Sequence, residues 1–353
     1  MVKELEYKKR KIEKKYFKYQ NYISYPIGLF LALLVFSVTL FLLGYDPISA
    51  LVSIPIGAFG SPTSTTETII RFIPLLMTAM AFLIAFKVRF LNLGIEGQLY
   101  SGALIAYLIG AGMGSLPGFI SIPLIFIAGF IGGVLWLGIP LIMKTKRGIN
   151  EIFPTVVMNF IAMFVIAWLT TGPLKDPDSF NPRTPFLPES TWLPLIHPDY
   201  RLHVFVFLAI IIAIVLYIVL FKTTIGYKIR AVGQNPRATA HGGIKVTRVV
   251  LIAGMLSGGI AGITGMMEIF GIHHFLIQGF SPGFGYQGIA VAALGGFHPI
   301  GVIIAAFFFA VLQIGGESMQ RGAGVPVDFI FIMQAVLVLT ILIVKNYINM
   351  RNS

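Results

Sequence analysis

The sequence predicts an all-α polytopic membrane protein of about ten transmembrane segments, some short or broken, and three observations lead there. The 353 residues are 56% hydrophobic and only 11% charged, where soluble domains carry about 25% charge. Apolar runs recur along the whole chain, more than one aqueous core could bury, so the bilayer is the remaining solvent. The positive charges gather between those runs. Thirty-eight Gly and thirty Phe suit the class, because small residues let spanning helices approach closely.

The first apolar run begins near Pro26, after eight Lys/Arg and three Glu within residues 1–20. That is too long a charged lead, with no small-residue cleavage site, for a signal peptide. Residues 1–25 read as a basic cytoplasmic segment, 26–345 as the membrane domain and 346–353 as a cytoplasmic tail. Segments are expected at 26–45, 72–87, 91–113, 119–143, 152–171, 203–221, 249–270, 284–297, 299–317 and 327–345. Several fall below the roughly 20 residues of a perpendicular span. Pro74, Pro154 and the His298-Pro299 step are expected to interrupt others. Such breaks are tolerated where protein or a watery cavity satisfies the backbone.

Charge sets the orientation. Lys87 and Arg89, Lys144, Lys146 and Arg147, the run Lys222, Lys228, Arg230, Arg237, Lys245 and Arg248, and finally Lys345 and Arg351 all fall inside if the N-terminus is inside. The 46–71 stretch and the acidic, Pro-rich 172–202 connection fall outside. Both termini are then cytoplasmic. The net charge of +12 reports this orientation rather than nucleic-acid binding.

Two stretches echo each other, 92–110 and 283–296. Each is a Gly-rich entry with a Gln, followed by a run of small apolar residues. They lie in the third and eighth segments, which cross in opposite directions, so the pair predicts an inverted repeat of the transporter kind.

Several chemistries are excluded. The absence of Cys removes disulfides and thiolate sites. There is no GxxxxGK[ST] loop to bind ATP, no HExxH and no GxSxG elbow. His273-His274 has no carboxylate at ligand spacing and reads as a loop-edge pair. No metal, cofactor or catalytic residue is expected. No span carries the chain of acids that a proton relay needs. Among the few acids in apolar segments, Glu96 has two readings alongside Gln98. They polarise a translocation cavity, or they bond backbone groups freed at a broken helix end. Glu151 reads as an interfacial cap. Asn92, Glu96, Gln98, Tyr286 and Gln287 are the candidate pathway residues. Trp136, Tyr100, Tyr286 and Phe284 could stack on a base or sugar, or simply pack.

The segment 222–248 pairs positive charge with small residues between two apolar spans. Asn235-Pro236 fits an N-cap followed by an N1 proline. With Gly233 before it and Gly242-Gly243 after it, a short helix is expected near 234–241.

Three motifs in order resemble one family. FLNLGIEGQLYSGAL (90–104) is like N-I-G-x-E-G-Q. TTIGYKIRAVGQNPRATAHGGIKV (223–246) is like T-x-x-G-x-x-x-R-A-x-G-x-N-x-x-A-A-x-x-x-G-I. GYQGIAVAALGGFHPIGVIIAAFFFAVLQIGG (285–316) is like G-x-x-G-I-A-V-A-L-L-G-x-x-x-P-x-G. NEIFPTVVMNFIA (150–162) matches between the first two. Over roughly 70–345 the chain resembles permease subunits of bacterial ABC importers of the branched-chain amino acid and ribose-type group. Within the group it resembles the nucleoside/simple-sugar branch, which works with a basic-membrane-protein-type lipoprotein. The resemblance implies a type II importer-like fold in the bacterial plasma membrane. It also implies a heterodimer with a second, shorter permease, a separate ATPase subunit beneath, and a substrate-binding lipoprotein outside. It makes Gly226, Arg230, Ala231, Gly233, Asn235, Ala240, Gly243 and Ile244 the ATPase-coupling positions. Thr239 splits the family's Ala pair, and His241 stands where a small or apolar residue is usual. The competing readings are a standalone ion- or proton-coupled secondary carrier and a membrane assembly subunit with no transport path.

Overall fold

The computed structural model describes residues 25–197, 199–326 and 328–350. The basic N-terminal segment, apart from Tyr25, and the last three residues of the expected tail lie outside them. Among the described residues there is no strand, only the isolated bridges Arg183–Ile277 and Leu195–His203, and helices carry the fold. In chain order they are α1 Tyr25–Leu42, α2 Pro47–Phe59, α3 Pro62–Phe86, α4 Ile95–Gly110, α5 Gly118–Arg147, α6 Ile152–Thr171, α7 Val206–Lys222, α8 Thr224–Gln234, α9 Pro236–His241, α10 Val246–Glu268, α11 Phe284–Leu294, α12 Pro299–Ala323 and α13 Asp328–Met350.

Among the described residues seven helices are long and apolar enough to cross a bilayer: α1, α3, α5, α6, α10 with its π-helical extension to His273, α12 and α13. An eighth is added if α7 and α8, bent by 73° at their junction, count as one span. Their outward faces are apolar, with Phe119 80% and Phe164 68% exposed, as lipid-facing surfaces must be.

Helix ends follow local chemistry. Asp46 accepts from the Ile48 amide and precedes Pro47 at N1, starting α2. Lys144, Lys146 and Arg147 sit in the last turn of α5, where cations suit the helix dipole, and Gly148 closes it at φ +65°.

Three expectations are corrected. The 46–71 stretch is not a loop, because α2 and the first turns of α3 fill it. Neither Pro74 nor Pro154 interrupts a span. Pro154 lies in the first turn of α6, where few amides have helical partners anyway. Pro74 sits inside continuous α3, enclosed by protein, and the buried Thr78 hydroxyl donates to its carbonyl oxygen at 2.7 Å. The His298-Pro299 step is a true boundary between α11 and α12.

The described residues form two compact units, one ending at Ser64 and resuming from Val311, the other Thr65–Ala310. Within the first, Thr340 on α13 donates to the Gly28 carbonyl of α1 at 3.2 Å, and Tyr45 meets Phe329 edge to face. Within the second, α4, α5 and α10 form a three-helix core with glycines at the crossings. A Cβ on Gly133 would overlap the Gly258 carbonyl oxygen, and one on Gly102 would overlap Gly262. Backbones touch there without intervening side chains.

Candidate functional site

Two places in the Thr65–Ala310 unit gather the expected residues. The first lies where α4 and α11 begin. These short helices of 16 and 11 residues start at Gly94 and Gly283, and their first turns meet. The Glu96 carboxylate accepts from the Gly285 amide at 2.6 Å. A Cβ on Gly285 would crowd the Glu96 backbone. Both amides belong to first turns, which have no intrahelical acceptor.

A buried polar network surrounds this junction. The Asn92 and Gln98 side-chain amides exchange two hydrogen bonds, of 2.9 and 2.7 Å. Asn92 also donates to Ser257 Oγ at 2.8 Å, and Ser257 donates to the Ala81 carbonyl at 2.7 Å. Asn159 Oδ1 accepts from the Gly97 amide at 2.8 Å, while its Nδ2 donates to the Leu93 carbonyl and to the Tyr286 hydroxyl. Of the five candidate pathway residues, Asn92, Glu96 and Gln98 are buried. Glu96 and Asn92 each accept from a backbone amide at a helix start, Gly285 and Gly94, while the Gln98 side chain bonds that of Asn92. Tyr286 is 42% exposed, and Gln287 donates to the Pro282 carbonyl at 3.1 Å. The other aromatic candidates are enclosed or tied down. Tyr100 rests against the Phe280 ring with centroids 4.6 Å apart, Phe284 is buried, and Trp136 donates to the Met158 carbonyl at 3.0 Å. Asn159 and Ser257 were not among the sequence candidates. The available signal was an amide or hydroxyl inside an otherwise apolar span.

The second place is α8 and α9, two short helices within the 222–248 segment. Thr223 caps α8 by accepting from the Gly226 amide at 3.2 Å. Ile229 and Val232 are buried, while Ile225, Tyr227 and Lys228 are exposed. Gly233 faces the turn that follows α3, where any Cβ would overlap the Lys87 carbonyl oxygen. Arg89 fastens the same contact by donating to the Gln234 carbonyl at 3.1 Å. Then α9 begins as the sequence predicts. Asn235 Oδ1 accepts from the Ala238 amide at 3.1 Å, Pro236 is N1, and Gly242 with Gly243 at φ +78° ends the helix. Thr239 turns inward, while Arg237, Ala238, Ala240 and His241 are exposed.

The coupling candidates therefore divide. Ala240 and Gly243 are exposed, with Ile244 partly so. Asn235 caps α9, and Ala231 accepts the Asn235 amide at 3.0 Å. Gly226 and Gly233 serve close backbone approach. The Arg230 guanidinium turns back over the Phe221 ring at 5.2 Å.

Glu151 does not cap its own helix. It pairs with Lys144 and accepts from the Leu91 amide at 3.2 Å, joining the end of α5 to the approach to α4. Burial raises its pKa, but Lys144 and the backbone amides outweigh that and hold it below the usual value.

On the connection between α6 and α7, the Leu187 and Leu193 amides donate to the His274 and Phe270 carbonyls. Trp192 stacks on His274 at 3.8 Å. Buried His203 lies against Gly271, and burial, with the nearby His274, lowers its pKa to about 4.

Residues 64–344 match the family described as branched-chain amino acid transport system / permease component. The chain is 32% identical to the guanosine ABC transporter permease protein NupP of Bacillus subtilis, over 89% of this chain and 90% of that one. It is 30% identical to the nucleoside ABC transporter permease protein NupB of Lactococcus lactis, covering 88% of each. It is also 30% identical to the glucose ABC transporter permease protein TsgB13 of Haloferax volcanii, over 87% of this chain and 83% of that one. A second permease from each of these organisms matches at 26%, 25% and 22% identity. No solved structure matches. With four-fifths of its length inside the family's bounds, and with the family's motifs forming the α4–α11 junction and the capped α8–α9 element, this chain belongs to the branched-chain amino acid transport system / permease component family.

Proposed function

We propose that the chain is one permease subunit of an ATP-driven importer whose cargo is a nucleoside or a related simple sugar. The observation that carries this reading is the exposed, doubly capped α9 in a chain of this family. Its outward Ala238 and Ala240 leave room for a partner surface, and the end of α8, which leads directly into α9, is seated on the turn after α3, giving a push on α9 a route into the membrane helices. A separate ATPase docks there and supplies hydrolysis. The permease itself contributes no nucleotide site and acts as the transport component.

The cargo class follows the names borne by the relatives, guanosine, nucleoside and glucose. The second permease in each of those organisms supports pairing with a different, less similar permease. A substrate-binding lipoprotein delivers cargo from the far side, and both termini face the cytoplasm of a bacterial plasma membrane. Ten spans are the eight long ones plus short α4 and α11. The meeting of those two helix starts supports an inverted repeat, because helices that share a starting point run apart.

The test is uptake of labelled guanosine, with glucose and ribose as comparators, into vesicles holding the co-expressed permeases, ATPase and lipoprotein. Ala240→Asp is compared with the unchanged chain. Nucleoside uptake that needs ATP and is lost in the variant, with the complex still in the membrane, supports cargo and coupling together. Uptake that ignores ATP sinks the importer reading. Uptake of a sugar alone keeps the machine and replaces the cargo.

A further inference from the structure

We propose that Lys87, Arg230 and His298 form a binding site for the phosphate of an anionic membrane lipid. The three side chains come from separate elements: the turn after α3, α8 and the step between α11 and α12. All are partly buried in one corner of the Thr65–Ala310 unit. The Arg230 guanidinium lies over the Phe221 ring at 5.2 Å, and the His298 ring stands 5.0 Å from Phe221 and 5.8 Å from Tyr217. Arg230 Nη1 is buried with no hydrogen-bond acceptor. A guanidinium nitrogen removed from water without an acceptor is costly to hold. Here two further basic groups share the corner, and among the described residues none of the three has a carboxylate partner. Burial, with the Arg230 charge added to it, lowers the Lys87 pKa; burial and Lys87 do the same for His298. The missing component is a negative charge with several acceptor oxygens, which a phosphate provides.

The surroundings favour a lipid as its source. The α7 face above the corner exposes Ile211, Ile214, Val215 and Ile218, the surface along which acyl chains lie. At its lower end the chain bends by 73° into α8, whose first turns expose Ile225 and Tyr227. An amphipathic helix leaving a span at that angle, with aromatic rings at the bend, marks the headgroup level. Basic pockets between membrane helices at that level suit anionic headgroups. The coupling surface of α9 lies on other side chains, so lipid and ATPase need not compete.

The test uses the full chain alone and in its assembled complex, in micelles carrying dioleoyl-phosphatidylglycerol or dioleoyl-phosphatidylcholine. Native mass spectrometry counts the retained lipid. The expected result is phosphatidylglycerol retained in both preparations and phosphatidylcholine lost. Arg230→Gln should cut retention about fivefold or more, and His298→Gln, which removes a ring N–H donor, should also cut it severalfold, while Lys146→Gln, which removes one charge elsewhere as Arg230→Gln does, should not. His298→Gln keeps the test decisive if Arg230→Gln does not fold. Equal retention of both lipids, or retention unchanged in every variant that folds, overturns the proposal. Displacement of the lipid by excess inorganic phosphate would make a free anion the occupant and overturn the lipid assignment. Retention by the isolated chain but not by the complex would assign the corner to an acid of the ATPase and overturn it likewise.

Discussion

Glu96 and Gly285 are 189 residues apart, yet the carboxylate of one accepts the backbone amide of the other at 2.6 Å. Each residue lies in the first turn of a short helix. A single side chain thus ties together two helix starts that the sequence presents as separate Gly-rich motifs. It also satisfies an amide that α11 leaves without an acceptor.

Glu96→Gln keeps an oxygen for the Gly285 amide, whereas Glu96→Ala removes it. The alanine variant should therefore lose about 1–3 kcal/mol, and the glutamine variant clearly less. Thermal unfolding of the purified chain in detergent checks the order. Equal loss in both would mean that charge, and not the hydrogen bond, holds the junction.

At the α5–α10 crossing, Gly133→Ala drives a methyl group into the Gly258 carbonyl oxygen. About 1–3 kcal/mol of destabilisation is expected. Gly138, on the same helix, has nothing within 4 Å of an added Cβ. Gly138→Ala should be neutral or stabilising by up to about 1 kcal/mol. Paired melting curves separate the two sites.

The cap of α9 is open to the same treatment. Asn235→Ala should cost the short helix about 1 kcal/mol, and Asn235→Asp much less. Hydrogen exchange over 236–241 should quicken in the alanine variant alone. If the helix is the docking element, ATP-driven uptake should fall with it.

His203 gives a pH signature. Its folded pKa of about 4 lies below the usual 6.5. Between those values the unfolded chain binds the extra proton, so folding is penalised as pH falls. The full stability is present above about pH 6.5 and declines toward pH 4, by about 3 kcal/mol at most. His203→Gln should flatten the melting temperature across pH 4.5–7. An unchanged slope would place the sensitive group elsewhere.

What the sequence revealed was mostly local. The α9 helix was legible because Asn235, Pro236, Gly242 and Gly243 act within one turn of each other. The same signal, Asp46-Pro47, stands before α2, a helix too short to span and not among the sequence expectations. The α8 helix was not among the sequence expectations, although Ile225, Ile229 and Val232 are spaced four and three apart, because Gly226 and Gly233 interrupt the pattern. Those glycines answer to backbone from other segments, Val219 and Lys87, which no local pattern displays. Asn159 and Ser257 were missed for the same reason, since their partners lie 62 to 176 residues away. Pro74 was expected to break α3, but the protein enclosing that helix holds it continuous. The inward turn of Arg230 is also tertiary, and it moves the informative coupling variant from that residue to Ala240.

The glycine contacts among α4, α5 and α10 fix register as well as distance. Sliding one helix by a single residue, about 1.5 Å, would bring a side chain to a crossing sized for hydrogen. Where Gly133 meets Gly258 and Gly102 meets Gly262 the contact is backbone on backbone, and no rotamer change can relieve it. The three helices are then expected to move as one casting in any transport cycle. The give in the machine then belongs to seams filled by larger side chains, such as the aromatic corner of Tyr217, Phe221 and His298, where a ring can turn and a helix can follow it.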